Sequence, residues 1–183
     1  MYRLILEKNQ SIVVVQDHSS VILILSCKNG SGRNKALTLS EQNQAILVKA
    51  KSFCDLKGAR LTPIRERVYQ ILLAQESAIG AYDLLDELRK TDDNAKPPTV
   101  YRALDFFLDL GLVHKVESTN AFMACHHFGC SHPVQFLICD TCGDVQEIQS
   151  AGVKETLEAQ AKQNAFVIER QTIEAHGVCQ KCQ

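Results

Sequence analysis

The sequence predicts an α+β chain in two parts: an N-terminal winged helix-turn-helix, then a small C-terminal α/β unit stapled by a metal ion. Three observations predict it. Helical patterns with clear start and stop signals run from residue 37 to Gly111. Two short alternating segments, LVHKV and AFMAC, follow as a hairpin across ESTN. Residues 134–183 then carry several strand patterns and one helix, bracketed by two Cys-x-x-Cys pairs.

Thr38-x-x-Glu41 is a capping box ahead of a helix to about Lys57, and Gly58 stops it. Thr62-Pro63 offers an N-cap and a proline at the first helical position, opening a helix through about Ala74. Its Ile64, Val68, Ile71 and Leu72 share one face. GAYDLLDELRK is a third helix with Leu84, Leu85 and Leu88 inside, and DDNAKPP is a turn. Pro98-Thr99 opens a fourth helix, which Gly111 closes. Helices, a sharp turn before the last one, and a hairpin form the winged-helix pattern, with the last helix in the recognition position.

In the C-terminal unit PVQFLIC and DVQEIQS read as strands. VKETLEAQAKQ reads as a helix with Val153, Leu157 and Ala161 on one face. AFVIERQTIEA is expected to be a third strand or a bent pair. So small a unit has a thin core and needs a staple. Residues 1–36 stand apart as an N-terminal extension, readable as a short β-hairpin or as an unfolded arm.

Composition narrows the class. The 183 residues are 45% hydrophobic and 22% charged, with a net charge of −1. Residues 1–36 carry five Lys/Arg against two Asp/Glu, residues 37–120 eleven against twelve, and residues 121–183 four against seven. Any nucleic-acid contact must therefore be a local patch on a near-neutral module. The runs SIVVV and VILIL fall well short of the ~18 apolar residues of a membrane span. No secretory signal is recognisable, so a cytoplasmic location is expected. There, paired cysteines point to metal or redox chemistry rather than to disulfides.

Four of the eight cysteines and three of the six histidines fall within FMACHHFGCSHPVQFLICDTCG. Cys139 and Cys142 make one Cys-x-x-Cys knuckle, and Cys179 and Cys182 make the other. Two such knuckles close a tetrahedral four-sulfur zinc site, with no position left for a substrate. The competing reading is a redox dithiol, but neither knuckle sits at a strand-to-helix junction of a βαβ unit. A second set, His114, Cys125, His132 and Glu147, lies at the edges of elements that could converge. A thiolate with imidazoles and one carboxylate suits Zn²⁺ better than Mn²⁺ or Mg²⁺. Read singly, each is an ordinary solvated strand-edge residue. The first turn of the fourth helix offers Thr99, Tyr101 and Arg102, suited to DNA backbone and bases. On an isolated helix, Tyr101 would simply pack and Arg102 would be solvated.

These segments together resemble a known family. ARLTPIRERV, GAYDLLDELR, AKPPTVYRALDFFLDLGLVHKVESTNAF, ICDTCG and IEAHGVCQKC are similar to the ferric uptake regulator family from about residue 40 onward. The resemblance implies a homodimeric, zinc-responsive repressor of zinc-uptake genes that binds a palindromic double-stranded DNA operator. It implies no enzyme activity, membrane partner or small-molecule substrate. It implies a winged-helix DNA-binding domain over 37–125, a hinge near 126–133 and a dimerisation domain over 134–183. Two Zn²⁺ per protomer are implied: a structural ion on Cys139, Cys142, Cys179 and Cys182, and a regulatory one on His114, Cys125, His132 and Glu147. Tyr101 and Arg102 match recognition-helix positions, Arg65 and Tyr82 match other DNA contacts, and Asp86 and Arg89 match a pair that links neighbouring dimers. The loop from Cys125 to His132 is one residue shorter than the pattern and includes Cys130, so Cys130 or His127 could replace His132 or add a weaker site. An iron, manganese or peroxide sensor, a zinc enzyme and a zinc module without DNA binding remain the alternatives.

Overall fold

The computed structural model describes the backbone of residues 5–7, 10–17, 20–25, 39–129 and 133–183, with side chains from residue 41 onward except that of Ala151. Thr38, Cys130 and His132, named above, lie outside the described residues. The N-terminal extension holds β1 (Ile5–Glu7), β2 (Gln10–Asp17) and β3 (Ser20–Leu25), an antiparallel sheet in the order β1-β2-β3. It is one strand richer than a hairpin.

Four helices follow where the start and stop signals place them: α1 (Leu39–Leu56), α2 (Pro63–Ala74), α3 (Ala81–Arg89) and α4 (Pro97–Asp109). Thr62 caps α2 in extended conformation with Pro63 behind it, although its side chain makes no capping bond. Helix α4 starts at Pro97, one residue earlier than expected, because a proline at the first helical position loses no hydrogen bond. Gly111, at φ +66°, reverses the chain after α4 in the left-handed conformation that L side chains avoid. Leu84, Leu85 and Leu88 of α3, Val68, Tyr69 and Leu72 of α2, and Val100, Leu104 and Phe107 of α4 fill one core. The Tyr69 and Phe107 rings meet at 5.2 Å. Burying an aliphatic side chain of this kind contributes about 1.5–3 kcal/mol.

The wing is β5 (Val113–Val116) and β6 (Ala121–Ala124), paired antiparallel with His114 opposite Met123. The short strand β4 (Ile79–Gly80) joins β6 on its other side. Two residues carry no periodic signal, which is why the sequence did not announce it.

The C-terminal sheet has the order β8-β7-β9, from β7 (Val134–Cys139), β8 (Val145–Ile148) and β9 (Thr172–Gly177). Helix α5 (Ala151–Gln163) crosses over, so β9 runs parallel to β7. The third strand differs from expectation: AFVIE is not paired, and the strand is TIEAHG. Phe166 and Val167 are 64% and 81% exposed, so their alternation buries nothing within this chain. Val153 and Leu157 of α5 are also exposed rather than in the core, and Leu137 on β7 with them.

The two parts meet along an apolar seam. Val116 of the wing is buried with Phe136, Ile138 and Val145 of the sheet, and Ala78 and Met123 pack against them. Ser77 Oγ accepts the Val145 N–H at 3.0 Å, between the α2–β4 loop and β8.

Candidate metal centres and DNA-facing surface

Parallel pairing of β7 and β9 brings the two knuckles together. Cys139 ends β7 directly opposite Gly177, which ends β9, and Cys179 follows two residues later. The Asp140 N–H donates to Gly177 O at 2.8 Å, and the Asp140 carboxylate meets His176 Nδ1 at 2.8 Å. Gly143, at φ +74°, turns the first knuckle back into β8. The sulfurs of Cys139, Cys142, Cys179 and Cys182 all lie within 4.8 Å of one another. Cys142 Sγ and Cys179 Sγ are 3.8 Å apart, far beyond a disulfide. A tetrahedron with Zn–S bonds of about 2.3 Å has sulfur–sulfur edges of about 3.8 Å, so the pair fits one zinc ion. Backbone N–H groups of Cys179 and Cys142 hold the Cys139 thiol down to about 6. Shared hydrogen bonds with Cys179 and then Cys142 push Cys182 up to about 12. Thiols this close compete for protons, and a divalent cation relieves the competition.

A second cluster forms between the wing and the sheet. His114 comes from β5, Cys125 from the end of β6 and Glu147 from β8, with one ligand atom of each within 4.8 Å of the others. The Cys125 N–H donates to Leu112 O at 2.9 Å, which ties the end of β6 to the start of β5. His114 Nε2 is 3.7 Å from Glu147 Oε1, and both side chains are only 11% exposed. Burial pushes the Cys125 thiol up to about 12; a backbone bond from His127 opposes this, and the Glu147 charge adds to it. Thiol, imidazole and carboxylate crowded in a nearly dry space suit a zinc-type cation that replaces the thiol proton. Three of the four expected ligands are thus brought together, and the fourth, His132, lies outside the described residues. His127 is described but does not join the cluster.

The residues with expected DNA roles lie on α2, α3 and α4 of the winged helix. Tyr101 and Arg102 are exposed on the second turn of α4, one turn further in than a start at Thr99 would put them, with Thr99 half-buried in the first turn. Tyr82 is exposed at the start of α3. Arg65 is more constrained: its guanidinium stacks 3.7 Å from the Phe106 ring centroid, and Nη1 donates to Arg60 O at 2.9 Å. Asp86 and Arg89 pair with each other on α3 at 3.4 Å, where both are largely exposed.

The family model described as "Ferric uptake regulator family" matches residues 56–176. This chain belongs to the ferric uptake regulator family. It is 46% identical over 140 residues to the zinc uptake regulation protein of Escherichia coli K12, covering 76% of this chain and 82% of that one. It is similar to the solved structure of a zinc uptake regulator complexed with zinc and DNA, with a TM-score of 0.73 and 46% identity, over 76% of this chain and 94% of that chain. Holo XcZur is another structural relative, with a TM-score of 0.68 and 45% identity over 76% and 97% of the two chains. The winged helix with its C-terminal α+β domain is the architecture of this family, whose members are regulators rather than enzymes. Among the described residues, no helix is long and apolar enough to cross a membrane.

Proposed function

We propose that this family member is a zinc-responsive transcriptional repressor of zinc-uptake genes, with zinc as corepressor. The observation that carries the reading is the meeting of His114 and Cys125 from the wing with Glu147 from the C-terminal sheet. A ligand set divided between two folding units makes ion binding and domain orientation one equilibrium, so the ion favours the closed arrangement it fits. His132, from the hinge over 126–133, completes the set in this reading. Cys125 is the discriminating ligand: a thiolate favours zinc over iron or manganese, whose sensors prefer nitrogen and oxygen donors.

Cys139, Cys142, Cys179 and Cys182 hold a second, structural zinc, giving two ions per protomer. That closed set has no open position for hydrolytic chemistry. Exposed Leu137, Val153, Leu157, Phe166 and Val167 support a homodimer through residues 134–183, since a small domain seldom leaves so much apolar surface uncovered. Residues 37–125 form the DNA-binding unit. Thr99, Tyr101 and Arg102 on α4 face the major groove, Arg65 and Tyr82 add backbone contacts, and Asp86 with Arg89 joins adjacent dimers. A two-fold dimer calls for a palindromic operator, in the cytoplasm.

The test is operator binding to a DNA segment upstream of a zinc-transporter gene, titrated with buffered Zn²⁺, Fe²⁺ and Mn²⁺. The reading predicts activation by zinc at the lowest free concentration. Activation by iron or manganese at free levels where zinc is inert would replace it with another sensor of the same family.

A further inference from the structure

One rung of the C-terminal sheet faces the wing with three side chains. Phe136 of β7 stands opposite Glu147 of β8 on one side and opposite Glu174 of β9 on the other. Residues directly opposite in a sheet share a face. Phe136 meets the apolar seam, Glu147 meets His114, and Glu174 meets the turn at the wing's tip. The Glu117 N–H donates to Glu174 Oε1 at 2.6 Å, and the Ser118 N–H donates to Oε2 at 3.0 Å. A carboxylate on two successive amides is a charge-assisted, two-pronged contact. The side chain of Glu117 does not compete, because it turns to Lys115 Nζ at 2.5 Å.

We propose that Glu174 is a positioning residue: its carboxylate latches the wing turn at Glu117 and Ser118 to β9, favours closure without metal, and so lowers the free zinc needed for DNA binding. The inference rests on the proposed zinc-responsive repressor. Glu147 and Glu174 sit on one rung but do different work. Glu147 contributes to closure through an ion, whereas Glu174 contributes through amides that are present whether or not zinc is bound. Partial burial works to raise the Glu174 acid, but the Ser118 and Glu117 donors outweigh it and leave it below its ordinary value. A ligand that binds only the closed form has an apparent affinity reduced by the fraction of molecules already closed. Removing the latch lowers that fraction and moves the whole zinc response to higher concentration, while saturating zinc restores the same closed state.

The test uses the full chain, with Glu174→Ala, Glu174→Gln and Ser118→Pro. Ser118 follows the first residue of a turn whose Asn120 N–H returns to Glu117 O at 3.3 Å, where proline is accepted while the Ser118 N–H and hydroxyl donors to Glu174 are both lost. Glu174→Ala should shift the zinc midpoint of operator binding upward by about three- to tenfold with an unchanged plateau. Glu174→Gln, which keeps one acceptor oxygen, should shift it less. Ser118→Pro combined with Glu174→Ala should shift it by less than the product of the two single shifts. Hydrogen exchange of the Glu117 and Ser118 amides, read without DNA, should quicken by about tenfold in Glu174→Ala. An unchanged midpoint together with unchanged amide protection overturns the latch. So does a lowered plateau with an unmoved midpoint, which would make Glu174 a contributor to DNA contact or folding. If operator binding of the unsubstituted protein ignores zinc, the repressor reading fails, and the amide exchange still decides whether the latch exists.

Discussion

His114 Nε2 lies 3.7 Å from Glu147 Oε1, and the two residues belong to different sheets. A histidine of the wing and a glutamate of the C-terminal sheet come this close only when the two parts are docked. The fully buried Cys125 thiol beside them is the ligand on which the proposed preference for zinc rests.

Cys125→Ser should separate the two metal sites. The hydroxyl is close in size to the thiol, so the protein should fold, dimerise and keep one zinc per protomer. Zinc-dependent operator binding should fall by at least about 100-fold, because losing even an outer-shell partner of a metal ligand costs about 10–100-fold. Metal analysis together with DNA-binding anisotropy checks this. A variant that unfolds would exchange the structural and regulatory assignments.

Cys142→Ser or Cys179→Ser should instead damage the fold. The two sulfurs are 3.8 Å apart in the four-sulfur cluster, and structural zinc contributes on the order of 10 kcal/mol of folding free energy in small domains. Circular dichroism should show lost thermal stability, and sedimentation should show lost dimer. A strong chelator acting slowly on the unsubstituted protein should do the same.

Arg102→Ala should weaken operator binding by about ten- to 100-fold without moving the melting temperature, because the side chain is exposed. Arg65→Ala should act on both readouts. Its guanidinium lies 3.7 Å from the Phe106 ring centroid, a contact that contributes about 0.5–1 kcal/mol to the fold. Parallel melting and binding curves distinguish the two residues.

Leu157→Glu should weaken the dimer. Leu157 lies with Val153 on the exposed apolar face of α5, so a charge there costs the monomer little but would have to be buried in an interface. Analytical ultracentrifugation should show monomer at concentrations where the unsubstituted chain is dimeric.

Much of the winged helix was legible because local signals and tertiary packing agree. Pro63 and Gly111 mark helix ends by backbone geometry alone, the Pro97-Pro98 pair marks the start of α4 to within one residue, and Leu84, Leu85 and Leu88 mark a core face by spacing. The knuckles were legible by residue type, because only a few ligand sets satisfy tetrahedral zinc. The third strand, expected somewhere in AFVIERQTIEA, was drawn too long because AFVIE alternates like a strand, yet Phe166 and Val167 are exposed in this chain and strand pairing falls on TIEAHG. Residue type suggested His114, Cys125 and Glu147, but only the docking of wing on sheet joins them. Nothing local marked Glu174, whose partners at Glu117 and Ser118, two backbone amides and the Ser118 hydroxyl, are distant in sequence.

The central claim is that a site containing one thiolate, built across the two parts, switches DNA binding. Cobalt(II) added to protein already holding one zinc per protomer tests it most directly, with absorption and operator anisotropy read in the same titration. The account predicts a thiolate-to-cobalt band with the intensity of one sulfur ligand rather than four, rising in step with DNA binding and absent in Cys125→Ser. DNA binding that reaches completion without that band, or a band that persists in Cys125→Ser, would contradict it.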